Sequence, residues 1–154
     1  MAACTYVLYA PFEGVIGGKL AAIGGYGRVG KSQLMACEAC EFQDHFLKLS
    51  PSVAVLLNID NDHLDYFGTV ENAIHSFHRF AGMASRGVIV NGSDTNAMKA
   101  VADLPGQRVV TFGWEEGLDY VPTQVCHEAA SSSFLLLHRG QPLGHFTIHV
   151  PGRH

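Results

Sequence analysis

Three carboxylates and an imidazole fall within six residues in Asp60-Asn-Asp62-His63-Leu-Asp65. Hard oxygen donors beside a neutral imidazole suit a divalent cation and the phosphates that such a cation carries. The same text also reads as a polar loop in which Asp60 or Asp65 only caps the helix ahead. Upstream, Glu38-Ala-Cys-Glu41 offers two further carboxylates if Leu34–Cys37 is a neighbouring strand. A second pattern, Gly25-Tyr-Gly-Arg-Val-Gly30-Lys31-Ser32, satisfies the G-x-x-x-x-G-K-S/T spacing. In a working loop of that kind backbone N–H groups wrap phosphate, the lysine reaches the terminal phosphates and the hydroxyl holds magnesium. Such a loop needs a helix after Ser32. Gln33–Ala39 can supply one, yet Leu34–Cys37 reads equally well as a buried strand, which makes the glycines a turn between strands.

The other candidates are plainer. Cys37-Glu-Ala-Cys40 matches C-x-x-C, but a zinc site needs a second ligand pair at defined spacing, and the sequence has none. The four cysteines, Cys4, Cys37, Cys40 and Cys126, read as reduced, buried thiols of a cytosolic protein. His75 and His78, spaced i, i+3, share a helix face that either holds a metal or lies on a solvated flank. His127, His138, His145 and His149 have no ligand spacing.

The elements that must position these residues follow from periodicity. Val53–Asn58 is a continuous apolar run, as expected of a strand covered on both faces, and the acidic segment follows directly on it. In open α/β sheets that position, beyond the carboxyl end of a strand, is where ligands sit. Thr69–Met83 has helical spacing, with Val70, Ala73, Ile74, Phe77, Phe80 and Ala81 on one side and Thr69 placed to cap it. Gly87–Val90 predicts a strand, Asp94–Ala102 a short helix and Arg108–Phe112 a further strand. This alternation predicts an α/β fold with a mostly parallel sheet flanked by helices. After Trp114 the pattern changes: Tyr120–Cys126, Ser133–His138 and Gly144–Val150 predict an appended antiparallel region. Before Pro51, Gly14–Gly18 and Lys19–Ile23 suggest short strands divided by glycines. Met1–Ala10 lacks a basic n-region and reads as a helix or strand rather than a signal peptide.

Composition bounds the function classes. The 154 residues are 47% hydrophobic and 16% charged, with 17 glycines and 6 prolines, which suits one folded domain and excludes a disordered segment. A net charge of −4 without a basic block disfavours nucleic-acid and anionic-membrane partners. No apolar run approaches the ~20 residues of a membrane span.

Taken together, the landmarks resemble the central ATP-binding domain of the muramyl ligases of peptidoglycan synthesis. They are Val15-Ile-Gly-Gly18, Glu38-Ala-Cys-Glu41, Phe46-Leu-Lys-Leu-Ser-Pro51, Asn58–Tyr66, Phe77-His-Arg-Phe80, Thr111-Phe-Gly113 and Pro151-Gly-Arg-His154. The likeness spans residues 12–154 and is most similar to the branch that joins L-alanine to UDP-N-acetylmuramate. It implies ATP and Mg2+ as cofactors, with Glu38 and His63 as the magnesium-binding catalytic residues and His154 on the adenine side. The carbamylated lysine of related ligases has no counterpart, since Tyr66–Phe80 contains no lysine. The family's own phosphate loop lies upstream of Ile16-Gly-Gly18, and nothing in Met1–Glu13 matches it. In the family's order of landmarks, Gly25–Ser32 instead falls in the connection before the Glu38 strand.

The resemblance therefore implies a partial central domain without its phosphate loop, lacking the N-terminal UDP-binding and C-terminal domains, and inactive by itself. For the parent enzyme it implies phosphorylation of the lactyl carboxylate of UDP-N-acetylmuramate and attack of the amine of L-alanine on the acyl phosphate. Three alternatives stay open: another peptide-adding ligase of the family, a nucleotidase using Gly25–Ser32, and a non-catalytic binding module.

Overall fold

The computed structural model describes residues 5–9, 13–20, 25–29, 35–106 and 108–149, with side chains from residue 35 onward. His154 and Gly30–Ser32 lie outside the described residues. The chain divides into two compact units, Met1–Val110 and Thr111–His154.

The first unit is built on six strands: β1 (Thr5–Tyr9), β2 (Glu13–Leu20), β3 (Gly25–Val29), β4 (Met35–Ala39), β5 (Val53–Leu56) and β6 (Gly87–Asn91). They lie in the order β6-β5-β1-β4-β2-β3. β5 pairs parallel with β6 from Val53↔Gly87 to Leu56↔Val90, and β2 pairs parallel with β4. β1 runs antiparallel between β4 and β5, and β3 antiparallel to β2. Parallel neighbours need a long crossover. Here that crossover from β5 to β6 carries α1 (Leu64–Phe67) and α2 (Val70–Gly82).

Helix α2 forms where the spacing predicts it. Thr69 is its N-cap, its hydroxyl accepting from the Asn72 N–H at 3.2 Å, while the Asn72 side chain donates to the Phe67 carbonyl at 2.7 Å. The apolar side buries Ala73, Phe77, Phe80 and Ala81. Phe46, fully buried, packs edge-on to Phe77 at 5.0 Å and stacks on Phe80 at 4.8 Å. Phe46 comes from a 3-10 segment, Phe42–Lys48, in which Gln43 and Asp44 turn left-handed at φ 52 and 58. Helix α3 (Thr95–Val101) begins at Asp94, whose side chain accepts from the Ala97 N–H.

β7 (Val109–Phe112) leads into the second unit, where β8 (Tyr120–His127), β9 (Ser132–His138) and β10 (Gln141–Ile148) form the expected antiparallel meander. Asp119 organises its start. The carboxylate accepts from the Thr111 N–H at 2.9 Å and from Arg139 Nε at 2.8 Å. Arg139–Gly140 is the β9–β10 turn, and Pro142 is paired within β10.

Two local expectations change. Glu13–Leu20 is one strand rather than two, with a register shift between Val15 and Leu20 that spans its glycines. Gly25–Val29 is not the front half of a phosphate loop. Gly25 and Gly27 sit opposite Leu20 and Val15 in the β2–β3 ladder, so their backbone groups are committed to a strand rather than converging on an anion. The next described element is strand β4, not the helix that a nucleotidase loop requires. Among the described residues no helix is long and apolar enough to cross a membrane.

Candidate active site

β4 and β5 end on the same stretch of the first unit, and the chemistry gathers beyond their carboxyl ends. Glu38 is carried by β4 itself, half-buried, and Glu41 follows two residues after the strand. The acidic segment after β5 is tied down from its start. The Ile59 N–H donates to Asp94 Oδ1 at 3.3 Å, and Asn96 Nδ2 donates to the Ile59 carbonyl at 3.0 Å. Asp60 accepts from the Asn61 N–H at 2.7 Å, which tightens the turn. His63 then takes a left-handed backbone, φ 55, and its carbonyl accepts from the N–H groups of Tyr66 and Phe67 at 2.9 Å to start α1. Histidine tolerates that conformation better than most residues.

The result brings His63 to Glu41. Nε2 of His63 lies 3.6 Å from Glu41 Oε1, and the imidazole packs on the Phe42 ring at 4.9 Å. Glu41 is only 5% exposed, and among the described residues its Oε1 has no hydrogen-bond partner. Burial pushes its carboxyl above the ordinary range. Its own backbone N–H and the facing His63 pull the other way, while Asp62 and Glu38 add repulsion. Glu38, Glu41, Asp62 and His63 therefore share one electrostatic neighbourhood. Asp65 is exposed in the first turn of α1.

Next to this group, Asp44 joins three elements. Its carboxylate accepts from the Tyr66 hydroxyl at 3.0 Å and from the Ser76 hydroxyl, fastening the 3-10 segment to α1 and α2. That bond to Asp44 raises the Tyr66 phenol above its usual range. The residues border a shallow cleft of about 330 Å³ that also reaches His75 and Arg79.

The remaining candidates separate. His78 Nδ1 donates to the Ala100 carbonyl at 3.0 Å, binding α2 to α3, and His75 is exposed on the same helix. Cys37, Cys40 and Cys126 are free thiols, as expected, but of these three Cys37 is half-buried while Cys40 and Cys126 are exposed; Cys4 lies outside the described residues. In the second unit, Asp119 and Arg139 line a larger cleft of about 740 Å³ but satisfy each other.

Among the described residues no three His, Cys, Asp or Glu side chains stand close enough to enclose a metal by themselves. That is no obstacle to magnesium, which keeps several waters and takes one or two carboxylates together with substrate phosphates. The Glu38 carboxylate and the His63 imidazole, both in the electrostatic reach of the buried Glu41 carboxyl, are an oxygen and a nitrogen donor that fit it.

The Mur ligase middle domain pattern matches residues 28–154. The chain belongs to the Mur ligase middle domain family. The UDP-N-acetylmuramate–L-alanine ligase of Caldanaerobacter subterraneus subsp. tengcongensis is 41% identical over 143 residues, 91% of this chain and 31% of that protein. The enzyme of the same name from Agathobacter rectalis is 35% identical over 142 residues, 90% of this chain and 31% of that one. The chain thus spans about a third of the length of the curated relatives it matches. Among solved structures, the UDP-N-acetylmuramate–alanine ligase of Thermotoga maritima superposes with a TM-score of 0.70 at 20% identity, covering 90% of this chain and 30% of that one. The MurF ligase of the same organism, in complex with ADP, gives 0.61 at 21% identity, covering 94% and 35%. The Mur ligase architecture, with its sheet, flanking helices and antiparallel C-terminal strands, is therefore shared.

Proposed function

We propose that this chain is the central, ATP-binding part of a UDP-N-acetylmuramate–L-alanine ligase acting in the cytoplasm. The observation that carries the reading is the 41% identity to such a ligase across 91% of the chain. That stretch includes the segment holding His63 beside Glu41.

A carboxylate is a poor electrophile, and phosphorylation by ATP gives it a leaving group. The lactyl carboxylate of UDP-N-acetylmuramate takes the γ-phosphoryl group, leaving ADP. The amine of L-alanine then attacks the carbonyl carbon, the carbon–oxygen bond to phosphate breaks, and inorganic phosphate and one proton depart. Bound magnesium supplies charge neutralisation where phosphate oxygens approach the carboxylate. Glu38 and His63 would hold it, and His154 corresponds in sequence to the start of the family's adenine-side motif. The backbone ties at Ile59 and Asp94 keep the His63 segment fixed, so that little ordering remains to be done when phosphate arrives.

The test is phosphate release from ATP by the protein that carries this chain, dependent on both UDP-N-acetylmuramate and L-alanine. Glu38→Ala and His63→Ala are each expected to slow it by about a hundredfold or more with the fold retained. Near-normal turnover in both variants at ordinary magnesium sinks the metal assignment. A requirement for an amino acid other than L-alanine moves the chain to another branch of the family.

A further inference from the structure

Among the described residues the buried carboxyl of Glu41 has an oxygen with no hydrogen-bond partner, and Nε2 of His63 faces it at 3.6 Å, just beyond hydrogen-bond length. An unsatisfied buried acceptor costs about 1–3 kcal/mol, more when it is charged, so such an oxygen is expected to have a purpose. The imidazole has little freedom of its own. Its backbone is left-handed, its carbonyl starts α1, and one face of the ring rests on Phe42. The ring is about one-third exposed, whereas the Glu41 side chain is enclosed, so the ring lies between an interior carboxyl group and the solvent side.

We infer that Glu41 is a positioning residue for His63: it draws the Nε2–H of the neutral ring and thereby leaves Nδ1 bare as the ring's ligand atom. A neutral imidazole carries one proton, and a carboxylate facing Nε2 decides on which nitrogen it rests. Histidines that bind metals commonly give their second N–H to a carboxylate, which fixes the tautomer and raises the basicity of the ligating nitrogen. In the sequence Glu38 and Glu41 look equivalent. The structure separates them, with Glu38 on the strand and Glu41 enclosed against His63. The inference rests on His63 being a metal ligand only for its functional consequence; the pairing itself is independent of that reading.

Two measurements on the protein carrying this chain test it. Nitrogen–proton correlation of the imidazoles, at a pH where the rings are neutral, is expected to show His63 protonated at Nε2, with that preference lost in Glu41→Ala. A Glu41→Gln side chain still presents a carbonyl oxygen to Nε2–H and restores the preference. Titration with manganous ion is expected to show about 10–100-fold weaker binding in Glu41→Ala and recovery of most of it in Glu41→Gln. The Glu41→Ala/His63→Ala double variant is expected to bind no worse than His63→Ala, because the effect runs through the ring. A tautomer that ignores Glu41→Ala overturns the inference. So does a double variant that loses the full factor of both single changes, or a Glu41→Gln as weak as Glu41→Ala. Manganese binding unaffected by His63→Ala overturns the metal reading alone, and the tautomer then still decides the pairing.

Discussion

Gly87 illustrates how tightly single positions are held. Its φ is +152, and a Cβ there would lie 2.7 Å from the Arg108 carbonyl oxygen, which also accepts the Val88 N–H at 2.8 Å. Gly87→Ala therefore forces either β6 or the Arg108 peptide to shift. We expect a loss of about 1–3 kcal/mol, read from the urea midpoint; an unchanged midpoint contradicts the close approach. At this scale the sequence was informative about place but not about partnership. Asp60–Asp65 stands out in the sequence as the acidic segment, and the structure sets its His63 beside Glu41. Glu41 is visible only as one of two similar carboxylates, and the left-handed turns at Gln43 and Asp44 that follow it fall on two ordinary polar residues without a glycine to announce them.

Secondary elements were legible wherever burial repeats with a period. Helix α2 lies where Val70, Ala73, Ile74, Phe77, Phe80 and Ala81 share a face, and the meander after Trp114 lies where alternation begins. The strand β3 was hidden, since Gly25–Val29 carries too few apolar residues to show an alternation and fits a phosphate-loop spacing instead. β1's antiparallel place between β4 and β5 is a long-range pairing that no local period encodes. The start of the second unit gives a prediction at this scale. The Thr111 backbone N–H, and after it Arg139, hold the Asp119 carboxyl below its usual range. A depressed folded-state pKa contributes stability that is present above the unfolded value and is lost as pH falls through the folded one. Asp119→Asn is therefore expected to lower the melting temperature at neutral pH and to flatten its decline on the acid side, where the native protein gives up this contribution. The effect is small because the ion pair is largely exposed. An acid limb of unchanged slope contradicts this account.

For the whole molecule, length and composition suit one folded domain, and within the chain two compact units can be distinguished, Met1–Val110 and Thr111–His154. Nothing in residue frequencies reports such a division, since β7 carries the chain across it without a linker-like stretch. Within the first unit, one oxygen connects parts far apart in sequence. Asp94 Oδ1 receives the Ala97 N–H at 2.7 Å and the Ile59 N–H at 3.3 Å, so the cap of α3 also serves as the mooring of the acidic loop. When α3 frays, that loop loses its tie in the same event. Deuterium uptake at Ile59 and Ala97 should therefore follow one common opening free energy in the native protein and accelerate together in Asp94→Ala; separate opening energies would show two independent fastenings. The segment bearing His63 then breathes with a helix that contributes no residue to its chemistry, and its steadiness is set at a distance.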